Sequence, residues 1–183
     1  MKEYSENRRA RMTKSLIKEA LLDLLEQTEL SGITVTALCT AADVNRSTFY
    51  TYYSTPSDLL RDIEQDVLNR IPAPPYPRNR NGEESILLMT TAFFDYVREN
   101  ERVFRILFSK SENAEFSSQI VDLLCSQLIV GVENEDELSA RFLRLYIANG
   151  TVGMLREWID EGFPISSREI AKKMYYYSRK ITE

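Results

Sequence analysis

Leu16, Ile17, Ala20, Leu21, Leu24 and Leu25 return every third or fourth position, the apolar stripe of an amphipathic helix, and Gly32 is placed to stop it. Thr34 can cap a short helix over Val35 to Ala42, with Val35, Leu38 and Ala41 or Ala42 facing inward. Asp43 and Val44 make a tight connection. Asn45 is another good cap and opens a third helix through Tyr53, in which Phe49 and Tyr53 lie four apart on one face. Thr55-Pro56-Ser57-Asp58 starts a fourth helix with a capping Thr, proline at the first helical position and an acid at the third. That helix continues through Leu59, Leu60, Ile63, Val67 and Leu68.

Residues 71–82 hold four of the six prolines, so neither helix nor strand can continue through them. They divide the chain into a domain over 1–70, a Pro-rich linker over 71–82 and a second domain over 83–183. Beyond the linker the pattern is helical again, over 83–98, 101–108, 116–130, 135–160 and 166–181, the last opened by a Ser166-Ser-Arg-Glu169 capping box. No segment alternates with the period of two that a strand requires. The expected fold class is all-α.

At 183 residues, with 43% apolar and 28% charged side chains, the composition is that of an ordinary globular protein with a real core. No stretch approaches about 18 uninterrupted apolar residues, and the polar Met1 to Arg11 segment lacks the apolar core of a secretory signal. A cytoplasmic protein without a membrane partner is expected. The chain has no histidine, which removes Ser-His and Cys-His nucleophiles, HExxH zinc sites and any imidazole base. Cys39 and Cys125 are too far apart in sequence for a CxxC pair and read as small buried hydrophobes. The six glycines form no phosphate-cradling loop. These absences argue against an enzyme, a metal site, catalytic residues or a cofactor. The net charge of −5 is uneven: residues 1–18 carry six bases (Lys2, Arg8, Arg9, Arg11, Lys14 and Lys18) against Glu3 and Glu6, so this short arm is at +4 and the remainder at −9.

Two short helices joined by a tight turn, the second beginning at a capping Asn, have the spacing of a helix-turn-helix DNA reader over 34–53. The second helix of such a unit packs one apolar stripe on its neighbour and turns a short polar stripe to the major groove. Phe49 and Tyr53 supply the first stripe, and Arg46, Ser47, Tyr50 and Thr51 the second. Arg46 suits a bidentate contact to guanine, and Thr36, Thr48, Tyr50 and Tyr52 carry hydroxyls suited to phosphate oxygens. The same spacing also describes a helical hairpin with a solvated polar face.

The run from Thr34 through Val-Thr-Ala-Leu-Cys-Thr-Ala-Ala-Asp-Val-Asn-Arg-Ser-Thr-Phe-Tyr-Thr-Tyr to Tyr53, with Leu59-Leu60 after it, resembles the DNA-binding domain of the tetracycline-repressor (TetR) family, and the likeness covers residues 10–70. The resemblance implies a three-helix DNA-binding unit, a divergent helical ligand-binding and dimerisation domain, and a homodimer whose hold on DNA changes when an effector binds. It places Asn45, Arg46, Ser47, Thr48, Tyr50 and Tyr52 where the family touches DNA, with Thr34 and Thr36 near the DNA backbone. The family commonly has Gly where Asp43 stands and Lys where Pro56 stands. Residues 34–56 therefore hold one base, Arg46, and one acid, Asp43, and affinity must lean on the basic arm and on hydroxyl or backbone N–H contacts.

In the second half, Tyr146 to Gly162 resembles the final long helix of a TetR subgroup that includes regulators resembling dihydroxyacetone kinase operon activators. Gly150 and Gly153 inside a helix each cost about 1 kcal/mol against alanine, and we assign them to close packing in the subunit core and a dimer interface, the interface shared with Met174 and Tyr177. Phe93, Tyr96, Phe104, Phe108 and Trp158 are bundle core or the lining of a ligand pocket. Asn149 would lie on the apolar stripe of Leu138, Phe142, Leu145, Val152, Leu155 and Ile159, as an interhelical hydrogen bond or a ligand contact. Glu133, Glu135, Asp136 and Glu137 are explained by helix dipole and solvation. The expected protein is a homodimeric transcriptional repressor with a double-stranded DNA operator and an unidentified small-molecule effector. The alternative is a helical ligand-sensing coactivator or adaptor acting through protein contacts.

Overall fold

The computed structural model describes residues 2–72, 83–109, 114–127 and 136–182, and among them there are helices and no strand. The helices are α1 (Lys2–Leu25), α2 (Val35–Ala41), α3 (Arg46–Tyr52), α4 (Pro56–Arg70), α5 (Glu83–Glu99), α6 (Glu101–Ser109), α7 (Ala114–Gln127), α8 (Glu137–Asp160) and α9 (Ser167–Thr182), with a 3-10 turn at Leu30–Gly32. They form two compact units, Met1–Asn69 and Arg70–Glu183.

In the first unit, Ile17, Leu21 and Leu25 of α1 meet Leu38 of α2, Phe49 of α3 and Leu59 of α4 in a core where each is at most 2% exposed. Hydrophobic burial of this order, about 1.5–3 kcal/mol for each large side chain, holds helices that would be too short to persist alone. The first helix departs from expectation at both ends. It reaches back through the basic arm, and it ends at Leu25 rather than near Gly32. The 3-10 turn occupies the interval, so that Ile33, in extended conformation (φ −87°, ψ 119°), drops a buried side chain into the core. The other predicted starts are found where the caps stand: Thr34 accepts from the Ala37 N–H (3.1 Å), and Thr55 from the Asp58 N–H (3.1 Å).

In the second unit α5 packs along α9, α7 along α8, and α6 against α5, α7 and α8. Phe94, Phe104, Leu107, Phe116, Ile120 and Leu155 are its largest fully buried side chains. Asp136 caps α8 by accepting from the Leu138 and Ser139 N–H groups, and the Ser139 bonds hold its carboxyl below the usual range. The predicted capping box closes reciprocally: Glu169 N–H donates to Ser166 Oγ (3.3 Å) while Ser166 N–H donates to the Glu169 carboxylate (2.9 Å). Of the acids expected before α8, Glu133 and Glu135 lie outside the described residues, as do linker positions 73–82 and the predicted end of α7 at 128–130. No helix among the described residues is long and apolar enough to cross a membrane.

Candidate nucleic-acid interface

The turn between α2 and α3 is built by backbone geometry that the sequence hints at. Asp43 sits in the left-handed region (φ 50°), and the Val44 N–H donates back to the Cys39 carbonyl at 3.0 Å, closing the end of α2. Asp tolerates this conformation better than most residues, at a cost that glycine would not bear. Asn45 then gathers the start of α3. Its Oδ1 accepts from the Thr48 N–H (2.8 Å), the Ser47 hydroxyl (2.6 Å) and the Thr48 hydroxyl (2.8 Å). Phe49 is fully buried behind the helix, so residues 46, 47, 50 and 51 are left exposed on its other side.

This hydrogen bonding sorts the expected contact residues into two kinds. A phosphate oxygen only accepts, so a hydroxyl that already donates elsewhere offers it nothing. Ser47 and Thr48 donate to Asn45, and Thr51 donates to the Ser47 carbonyl (3.0 Å). Their remaining lone pairs suit base-edge donors such as the amino groups of cytosine and adenine. Thr34 uses its oxygen as acceptor in the cap and keeps its proton for a phosphate. Exposed Thr36, the Asn45 amide, Tyr50 and half-buried Tyr52 complete the donor set. Arg46 is exposed, and its hydrogen bond with Tyr50 one turn along raises its pKa further, so it stays charged. Tyr50 itself is 51% exposed beside it.

Sequence reading missed the side chains that fix this helix from behind. Lys14 of α1 stands 5.7 Å from the Tyr52 ring centre and 5.6 Å from that of Tyr53. The Tyr53 hydroxyl donates to Asp62 of α4 at 2.7 Å, and Lys18 bridges Asp62 (2.9 Å) and Asp66 (2.7 Å). Burial, then the bond to Asp62, pushes the Tyr53 phenol far above its ordinary range. Burial pushes Asp62 up too, but the hydrogen bonds from Tyr53 and Lys18 outweigh it and leave its carboxyl below the usual value. The available signal was two bases four apart on α1 and two acids four apart on α4, each pair presenting one face.

In the second unit the expected pocket residues are brought together only in part. Tyr96, Phe104 and Phe108 join Phe116 in one ring cluster, with Tyr96 and Phe104 edge to face at 5.8 Å and Phe108 and Phe116 at 5.6 Å. Trp158 instead meets Phe94 (5.4 Å), which meets Phe93 (5.3 Å), and its indole N–H donates to the Ile165 carbonyl at 2.9 Å. Asn149 is a correction: it is exposed, and its amide donates to the Leu145 carbonyl of its own helix at 2.8 Å. The buried face of α8 runs through Ala148, Val152, Leu155 and Ile159, whereas Leu138 and Phe142 of the expected inner stripe are 56% and 61% exposed.

For Gly150 and Gly153 the subunit-core half of the expectation is corrected: both are exposed, and a Cβ added at either would meet nothing within 4 Å. Packing within the subunit core therefore does not call for them. Met174 is half-buried with its sulfur 3.4 Å from the Thr151 hydroxyl, which donates to the Ile147 carbonyl (2.8 Å), and Tyr177 is 47% exposed.

Comparison with known proteins agrees on one lineage. The TetR_C_8 family model, described as a transcriptional regulator C-terminal region, matches residues 84–180. The chain is 32% identical over 169 residues to the uncharacterized HTH-type transcriptional regulator YxbF of Bacillus subtilis (strain 168), a match covering 87% of this chain and 43% of the relative. It thus spans less than half the length of that relative. The structure of a TetR transcriptional regulator from Streptococcus agalactiae 2603V superposes with a TM-score of 0.72 at 18% identity, over 96% of this chain and 98% of that one. The dihydroxyacetone kinase operon activator DhaS gives 0.64 at 19% identity, over 93% and 96%. Identities this low show a common fold.

Proposed function

The chain belongs to the TetR family of transcriptional regulators, a family without enzymatic activity, and from that premise we propose that it binds a two-fold symmetric DNA operator as a homodimer and represses transcription until a small effector intervenes. The observation that carries this reading is the division of α3: Phe49 fully buried on one side, and Arg46 and Tyr50 exposed together on the other. Such a helix can lie in the major groove with Arg46 at base edges, while Thr34, Thr36 and Tyr52 donate to phosphates on either side.

The dimer reading is supported by an apolar face of α8 that the subunit leaves exposed. Leu138, Phe142 and Tyr146 follow at four-residue intervals, all more than half exposed, and Gly150 and Gly153 continue the same side. Glycines with open space over them allow a second helix to approach closely. A small apolar effector would act on the ring cluster of α5 and α6, and it would have to displace packed rings to enter. By linkage, an effector that weakens DNA binding tenfold must itself bind the DNA complex tenfold more weakly, about 1.4 kcal/mol.

The adaptor reading draws on the neutral reading face, where Arg46 is the one base of residues 34–56. Selection of the full chain against random duplex DNA decides between them. A recovered palindrome supports the regulator reading, and no enrichment of any sequence at low salt overturns it.

A further inference from the structure

Three hydrogen bonds converge on one atom at the start of α3. Asn45 Oδ1 accepts the Thr48 N–H, which caps the helix, and also the hydroxyl protons of Ser47 (2.6 Å) and Thr48 (2.8 Å). The cap needs only the N–H bond. The Ser47 bond is the shortest of the three and ties down an exposed side chain, whereas Thr48 is half-buried. Ser47 stands at the second position of α3, beside Arg46 and on the side turned away from buried Phe49. That is the N-terminal part of the helix, which reaches base edges when such a helix lies in the major groove.

A free serine hydroxyl reads bases ambiguously, since it donates or accepts as the base requires. With its proton held by Asn45, Ser47 has only lone pairs to offer. In the major groove adenine and cytosine present amino donors at N6 and N4, whereas guanine and thymine present acceptors at O6 and O4. Adenine and cytosine can therefore bond to Ser47 with the Asn45 contact intact. Guanine and thymine set oxygen against oxygen unless that contact is first broken.

Resting on the reading of α3 as the DNA-recognition helix, we infer that Asn45 is a specificity-determining residue that acts through Ser47. It makes the Ser47 oxygen an acceptor and so selects an amino base, adenine or cytosine, over a keto base at one position of each half-site. The discrimination is worth one neutral hydrogen bond, a preference of about three- to tenfold. Arg46, a donor only, selects guanine at its own position, so neighbouring residues of α3 read opposite classes of base.

Operator selection with the full chain and then with Ser47→Ala locates the position that Ser47 reads, as the one whose preference the variant loses. Fluorescence anisotropy with four duplexes differing at that position then compares the parent with two variants of Asn45. The parent should hold the adenine or cytosine duplex about three- to tenfold more tightly than the guanine or thymine duplex. Asn45→Gly removes the acceptor but leaves a residue that suits the cap position. It should bring that ratio below about twofold and leave the preference at the Arg46 position in place. Asn45→Asp keeps an acceptor oxygen, so it should bind all four duplexes more weakly through its charge and retain the ratio. A cap with no part in recognition would change affinity for the four duplexes alike. A keto preference in the parent, an unchanged ratio in Asn45→Gly, a lost ratio in Asn45→Asp, or no altered position in Ser47→Ala would overturn the inference while the regulator reading stands. Failure of the parent to enrich any sequence would overturn both.

Discussion

Arg46 stands at the first position of α3, where a guanidinium can place two parallel donors on the O6 and N7 edge of a guanine. Arg46→Ala is expected to weaken binding to the selected operator by about 1–3 kcal/mol and to leave binding to unrelated duplex nearly unchanged. Removal of residues 1–11 should instead weaken all sequences alike and flatten the salt dependence, because phosphate contacts carry charge and no sequence information. Fluorescence anisotropy over a salt series separates the two effects. Asp43 allows a second test at this scale. Its left-handed backbone (φ 50°) favours glycine, so Asp43→Gly should gain from a few tenths to about 1 kcal/mol of stability in urea unfolding, after offsetting the extra chain entropy of glycine. It should also tighten DNA binding by removing a carboxylate from the reading face. A loss of stability would mean that the carboxylate itself holds the turn. The sequence revealed the caps at Thr34, Asn45 and Ser166 because capping depends on residues three apart. It concealed the engagement of Ser47 and Thr48 by Asn45, since a hydroxyl's partner is set by rotamer and not by spacing.

Among the elements, α1, α3 and α4 are tied by the Lys18, Tyr53 and Asp62 network, and its two acids titrate at opposite ends of the pH scale. Asp62 has a lowered carboxyl pKa in the folded chain, so its contribution is complete above the ordinary value of 3.8 and disappears as pH falls through the folded one. Tyr53 has a raised pKa, so its contribution is complete below the ordinary value of 10.0 and disappears as pH rises through the folded one. Thermal unfolding across pH should therefore show a plateau between these limits. Asp62→Asn should lower the plateau and flatten its acid edge, whereas an unchanged acid edge would show that other carboxylates set it. For α8 the relevant test is glycine. Gly153→Ala should raise the stability of an isolated subunit by up to about 1 kcal/mol, through helix propensity and with open space above the new methyl. Gly153→Leu should drive a dimer towards monomer in analytical ultracentrifugation, because the bulk would stand between two closely packed helices. A leucine variant that dimerises as the parent does would remove Gly153 from the interface. The misplacement of Asn149 and Leu138 has a physical cause here. A helix with apolar residues on two faces offers two stripes of helical period, and sequence alone does not say which one the subunit buries.

Across the whole molecule, the all-α fold was legible because nearly every helix carries both a periodic stripe and a cap or breaker. Which aromatic residues fill the core was not, since aromatic residues at helical spacing serve equally as core and as the lining of a pocket. Charge is distributed to suit the proposed activity: the first 18 residues hold +4 while the rest hold −9, so the electrostatic attraction to DNA is concentrated at one end of an otherwise acidic chain. A homodimer would present two such ends, and two copies of α3, to half-sites about 34–36 Å apart on one face of the duplex. The most direct measurement of that claim is titration of the full chain into a selected palindromic duplex and into the same duplex with one half scrambled. Two chains should bind per intact palindrome, and scrambling one half should cost most of the sequence-specific affinity. Equal affinity for the two duplexes would contradict the account.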